Sequence, residues 1–326
     1  MNNKFLKILF ITIVIFSLFS GASAIPMIQN DTSTYQNSSL ETESSHTVFC
    51  EFAVNTNLTN SAETANILQN IYESGEYDFQ YITYVSDQYT KASDWLGDKY
   101  NIRGFPTCFF DGGFEVLYDI PAIESNYENK IYIASYRNVH DLDVVLDTVW
   151  FEDCCSKKLD IEINVINNEN KPYNGIIRIY IVERNSRWTY QLGETNGTYK
   201  YAFLDFALDE RIYIPAGGNV SIAAPTWINF VVDDVDGGEL VAIAVLSNQN
   251  PYPGHSDPPY NEYSFNSNAV DEVAVKKVRK KVIKSNSIIT EKPMEKLLQI
   301  FQRFLFKLSG LFDSINQIVN KVFYTY

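Results

Sequence analysis

The chain has 326 residues, 45% of them hydrophobic, enough to bury more than one core. Asp and Glu outnumber Lys and Arg by 40 to 26, giving a formal charge of −14. That balance excludes a general nucleic-acid binder, because phosphates select Lys and Arg. The 22 Tyr and 21 Phe suit strands better than a helical bundle.

At the N-terminus, Lys4 and Lys7 flank the start of an apolar run, Ile8 to Phe19, and the small residues Ala22-Ser23-Ala24 follow. The pattern predicts a signal peptide over 1–24 and a mature chain that works outside the cytoplasm, secreted or at the cell surface. The run is shorter than the roughly 20 residues a spanning helix needs, although an uncleaved anchor is the other reading. Residues 25–45 are polar and Ser/Thr/Asn-rich, and read as a flexible leader. Sequons at Asn30, Asn37, Asn57, Asn196 and Asn219 permit glycosylation on that side of a membrane. The four cysteines, Cys50, Cys108, Cys154 and Cys155, would there meet an oxidising solvent.

From His46 the pattern reads β-α-β-α-β-β-α. Thr47 to Val54 is a mostly apolar strand, and Thr59 to Ser74 carries Leu68 and Ile71-Tyr72 at helical spacing. Asp78 to Val85 alternates as a strand, and Tyr89 to Tyr100 forms a helix with Ala92, Trp95 and Leu96 inward. A loop with a cis-proline at Pro106 leads into a short buried strand, Thr107 to Phe110. The Asp111-Gly112-Gly113 turn opens the strand Phe114 to Tyr118, and Pro121 starts a helix reaching about Asn138.

This order, the run Asn101-Ile102-Arg103-Gly104-Phe105-Pro106-Thr107 and the Gly-Gly turn resemble the thioredoxin fold over residues 47–138. The resemblance implies a thioredoxin-like domain at 46–139. In such proteins the cis-proline loop, matched by Gly104, Phe105, Pro106 and Thr107, faces a redox-active C-x-x-C at the next helix start. That motif is missing. Leu58 and Ser61 stand at the two cysteine positions and Asn57 at the preceding tryptophan. Leu58 has no nucleophile, and Ser61 cannot enter an exchange that proceeds through thiolate attack on sulfur. Thr59 or Asn60 still offers a helix N-cap. The resemblance thus implies a redox-dead fold without a cofactor, whose groove beside Pro106 suits an extended peptide or protein client.

Cys50 and Cys108 fall in strands that the resemblance makes antiparallel neighbours. Cys108, two residues past Pro106, then stands opposite Phe52 or Ala53, so the pair is diagonal. Cross-strand diagonals of about 7–8 Å exceed disulfide reach, and the two read as buried thiols.

After His140 only strands are read: Asp141 to Phe151, Lys158 to Asn167, Gly175 to Val182, Arg211 to Ile214, Ile222 to Val232 and Leu240 to Ser247. Their Asn, Gly and Pro turns predict an immunoglobulin-like β-sandwich over 140–275. The run from Tyr173-Asn174-Gly175 to Arg187-Trp188, then Ala202-Phe203-Leu204-Asp205 and Val270-Asp271-Glu272-Val273, resembles the C-terminal domain of extracytoplasmic thioredoxin-like proteins of archaea and bacteria. This likeness implies architecture, not an activity. Cys154-Cys155 is a vicinal pair at a strand turn, either two unrelated thiols or a strained, reducible bond. Asp233, Asp234, Asp236 and Glu239 surround a Gly turn, which reads as a solvated hairpin turn or as a weak set of Ca²⁺ ligands.

The basic run Lys276 to Lys284 marks a linker over 276–290. From Met294, apolar residues recur every three or four positions to Phe323, predicting an amphipathic helix in the tail 291–326. Arg303, Lys307, Asp313 and Lys321 exclude a spanning helix. Its apolar face would lie on an anionic membrane surface, a partner helix, another copy or the chain's own sandwich. The expectation is therefore α/β plus all-β: a thioredoxin-like domain, a sandwich and a C-terminal helix. The function expected is a non-catalytic binding or structural module. The alternative is a thiol-disulfide oxidoreductase using Cys154-Cys155 or Cys50-Cys108.

Overall fold

The run VFCEFAV is apolar at every position except Glu51 and is buried on both faces, as a central strand must be. It is β1 (Val48–Val54) of a computed structural model that describes residues 46–118, 121–152, 157–228 and 236–280. There follow α1 (Thr59–Ser74), β2 (Phe79–Val85), α2 (Thr90–Tyr100), β3 (Thr107–Phe110), β4 (Glu115–Tyr118) and α3 (Glu124–Ser135). Leu58 is the N-cap of α1 and makes no side-chain capping bond, so neither Thr59 nor Asn60 fills the role expected of it. Gly75 closes the helix at φ 66°, where a side chain would be strained.

The remaining elements are all strands: β5 (Leu142–Glu152), β6 (Lys157–Asn167), β7 (Tyr173–Leu192), β8 (Thr195–Ile214), β9 (Asn219–Ala223) and β10 (Trp227–Ile228). They continue with β11 (Leu240–Asn248), β12 (Tyr252–His255), β13 (Ser264–Ser267), β14 (Val270–Lys277) and β15 (Arg279–Lys280).

The expected fold class, an α/β domain followed by a separate all-β sandwich and a helix, is corrected. The described chain is mostly strand, and strands from both halves join one eight-stranded sheet in the order β14-β11-β7-β8-β2-β1-β3-β4. The junction is a parallel bridge between Thr83 of β2 and Ala202 of β8, supported by the Thr83 hydroxyl donating to the Lys200 carbonyl at 2.8 Å. The cause is the length of β7 and β8. Each runs 20 residues, where the sequence reading ended the first at Val182 and began the second near Arg211. Their outer half covers the edge that β2 would otherwise leave open. All described residues belong to one compact unit, with no break near 140. The predicted tail helix lies outside the described residues, as do the signal segment, the leader, Cys154, Cys155, Asp233 and Asp234.

Side-chain alternation sends the sheet's two faces into different cores. On one face, α1 and α3 close over Val48, Cys50, Phe52 and Val54. Farther along that face, β5 and β6 of a five-stranded sheet pack on Ile177, Ile179, Ile181, Ala242 and Ala244, around the buried Trp150. On the other face, α2 and β13 cover Phe49, Tyr180, Phe203 and Ile243. The start of the basic run is part of this fold: Val278 is buried, and Arg279 and Lys280 pair with β5 and meet Asp147 and Asp236. No helix among the described residues is long and apolar enough to cross a membrane.

Candidate functional site

The α1 start is held rigid by one carboxylate. Asp87, just after β2, accepts from the Thr56 amide at 2.9 Å, from the Thr56 hydroxyl, and from Gln88 Nε2 at 2.9 Å. Asn57 Nδ2 reaches the same carboxylate at 3.4 Å. Burial pushes the Asp87 carboxyl up, but these donors outweigh it and hold it below its ordinary value. Leu58 projects into solvent, 42% exposed, whereas Ser61 is fully buried and its Oγ accepts from the Asn55 amide at 3.3 Å. No group at either position can attack sulfur.

The Phe105-Pro106 bond is cis and Pro106 is buried at the head of β3. Thr107 Oγ1 donates to the Gly104 carbonyl at 2.8 Å, tightening the loop. The segment joining β12 to β13 packs against it: Ser256 Oγ donates to the Asn101 carbonyl at 3.0 Å, and Arg103 donates to Asp257 at 3.2 Å. The Arg103 guanidinium also lies over Tyr118, Tyr260 and Tyr263, 5.1 to 5.8 Å from the ring centroids. Tyr260 is 64% exposed and Tyr263 36% exposed, so the cluster faces solvent beside β4, the terminal strand of the sheet. Sequence reasoning missed this cluster, because Asp257 and the two tyrosines lie about 150 residues from Arg103 in a Pro-rich loop.

Cys50 and Cys108 are both free and buried, and Cys108 stands opposite Phe52 in the β1–β3 register. Burial first, then the neighbouring Cys108, pushes the Cys50 thiol well above its ordinary value, which leaves it protonated and unreactive at neutral pH.

Two buried polar groups tie the molecule together. Glu51 accepts from Tyr84 at 2.9 Å, from Tyr180 and the Trp95 indole at 3.4 Å, and from the Tyr100 hydroxyl. Burial first, then the Glu51 charge, drives all three phenols well above their ordinary values, so they remain donors. On the other side, His46 meets Asp111 at 2.6 Å, and Arg137 reaches Asp111 at 3.3 Å and Asp271 at 3.5 Å. Tyr173 completes the group by donating to Asp271 at 3.1 Å.

Of the acidic turn, the described members are each neutralised: Asp236 by Lys280 at 2.5 Å, and Glu239 by Arg184 at 3.2 Å. No cluster of three or more His, Cys, Asp or Glu suited to a metal occurs among the described residues. Asn57, Asn196 and Asn219 are exposed, while Asn30 and Asn37 lie outside the described residues.

No known family matches the chain, and no curated protein matches it. Among solved structures, a structural-genomics protein of Agrobacterium tumefaciens shares 10% identity over 72% of this chain and 95% of its own, with a TM-score of 0.43. A sporulation control protein of Bacillus subtilis, Spo0M, shares 10% identity over 45% of this chain and 51% of its own, with a TM-score of 0.29. A Bacteroides uniformis beta-glucuronidase shares 15% identity over 39% of this chain and 12% of its own, with a TM-score of 0.21. All three scores lie below 0.5.

Proposed function

We propose that the chain is a non-catalytic binding module that works outside the cytoplasm and takes an extended peptide at the Pro106 end of its sheet. The observation that carries the reading is the α1 start, where an exposed leucine and a buried, hydrogen-bonded serine leave no attacking group. Its surroundings supply what a peptide needs: the terminal strand β4 offers a backbone edge, and Tyr260 and Tyr263 offer aromatic contact area at low ordering cost. The signal-like N-terminus and the sequons support the location. A thiol-disulfide oxidoreductase is the second reading, and the buried, protonated state of Cys50 weighs against it.

One preparation serves both halves of the test. Insulin reduction by the full chain should match that of a variant with all four cysteines changed to serine. Reduced, carboxymethylated α-lactalbumin, an extended chain without thiols, should bind, and Tyr260→Ala should weaken it by about tenfold, as for an aromatic contact at the centre of an interface. Turnover well above the cysteine-free background, or binding indifferent to Tyr260, would overturn the proposal.

A further inference from the structure

The eight-stranded sheet has helices on both faces, whereas the five-stranded sheet is covered on one. Its inner face packs around Trp150, and no described helix lies on the other. Alternation along β5 turns Val145, Val149 and Phe151 outward, with Asp143 and Asp147 between them. Val145 is 58% exposed, and Val149 and Phe151 are half-buried. A shallow, open groove of about 360 Å³ runs across β5, β6 and β9, with Val145 and Ala223 beside Asp147 and Glu162 in its lining.

This outer face is acidic. Asp160 and Glu162 of β6 join Asp143 and Asp147 of β5, and Glu162 stands directly opposite Asp147 in the strand register. Like charges so placed destabilise a bare sheet, and the cation that relieves this pair comes from the start of the C-terminal basic run. Arg279 meets Asp147, and Lys158 stands 3.9 Å from Asp160, whereas Glu162 forms no ion pair among the described residues. Arg279 and Lys280 pair with β5 beside Val149 and Trp150, and Val278 is buried just before them. The chain beyond Lys280 therefore sets out from the edge of this same face.

That segment has the complementary chemistry. Residues 281–326 hold seven Lys and Arg against three Asp and Glu, in a chain whose overall charge is −14. Met294, Leu298, Phe301, Leu305, Leu308 and Phe312 repeat at 3–4 spacing, and the repeat continues to Val322, with Lys307 and Lys321 at its border. We infer that residues 294–323 dock as an amphipathic helix on the outer face of β5, β6 and β9 of their own chain. The apolar stripe covers Val145 and Phe151, and the bordering lysines meet Asp143 and Glu162. Lengths agree: thirty helical residues span about 45 Å, and the 11 residues of β5 about 37 Å. The linker 281–293 reaches at most about 45 Å, enough to turn back over the strand. An anionic membrane is the weaker occupant, because the net charge of −14 opposes approach to it. The face shares no residue with the Pro106 end, so it stands or falls independently of the peptide reading.

The test is carbodiimide cross-linking of the full chain, which joins lysines to carboxylates in direct contact, read by mass spectrometry. Unlabelled and ¹⁵N-labelled protein are mixed so that links within one chain and between chains separate by mass. Tail lysines should link to Asp143 or Glu162 within one chain. Val145→Glu should lower the yield by about tenfold, because it sets a charge against the apolar stripe. Leu305→Glu should do the same from the tail side, and it carries the comparison if the first variant does not fold. Links only between chains would assign the face to a second copy and overturn the proposal. So would links unchanged in both variants, or none on this face. In that last case, pelleting on phosphatidylglycerol vesicles that is lost on deleting 291–326 would assign the tail to a membrane.

Discussion

Glu51 is the one charged residue in a strand whose other positions are apolar, and four donors converge on it. Those donors come from β2, α2 and β7, so this carboxylate ties both halves of the chain. Glu51→Ala would strand three phenols and an indole without their acceptor in a dry core. The expected loss is about 3–5 kcal/mol, since removing one partner of a buried charged group leaves the others desolvated and unpaired. Glu51→Gln should cost less, because an amide oxygen still accepts. Urea unfolding of the two variants measures the difference. A loss below about 1 kcal/mol for the alanine variant would mean that water replaces the carboxylate, a different account of this core. The carboxylate was visible in the sequence as an odd residue in an apolar run, but its partners were not. They come from positions 33 to 129 residues away, and no local pattern links them.

At the scale of elements, the β7–β8 ribbon explains most of what the sequence concealed. The order β-α-β-α-β-β-α from Val48 to Ser135 was legible, because hydrophobic period and turn chemistry are local signals. The joining of that segment to later strands was not, because strand pairing depends on partners far along the chain. The ribbon's outer half also lacks a clean alternation: register shifts between Ile179 and Thr189 change which face each side chain takes. Tyr190, Tyr199 and Ala202 consequently bury against α1 and β2 instead of against their own sandwich. Tyr199→Ala should therefore cost about 3–5 kcal/mol, as for other buried aromatic truncations. It should also lower the stability reported by Trp95 in α2 and by Trp150 in β5 to the same extent. Single-tryptophan variants followed by fluorescence in urea check this. Separate midpoints for the two reporters, with only one moved by Tyr199→Ala, would contradict a sheet shared by both halves.

The whole molecule joins its two sequence-defined halves through one sheet and keeps its described thiols inside it. Exposed groups from distant parts of the chain meet in the Arg103 cluster at one end of the sheet. The central claim is that this architecture performs no thiol chemistry at its α1 start or in its β1–β3 core. Iodoacetamide labelling of the non-reduced protein, read by mass spectrometry before and after unfolding in urea, tests it most directly. Cys50 and Cys108 should resist labelling in the folded protein and take up label fully on unfolding without reductant. Rapid labelling of either in the folded state, or a Cys50–Cys108 disulfide that must be reduced before label enters, would contradict the account.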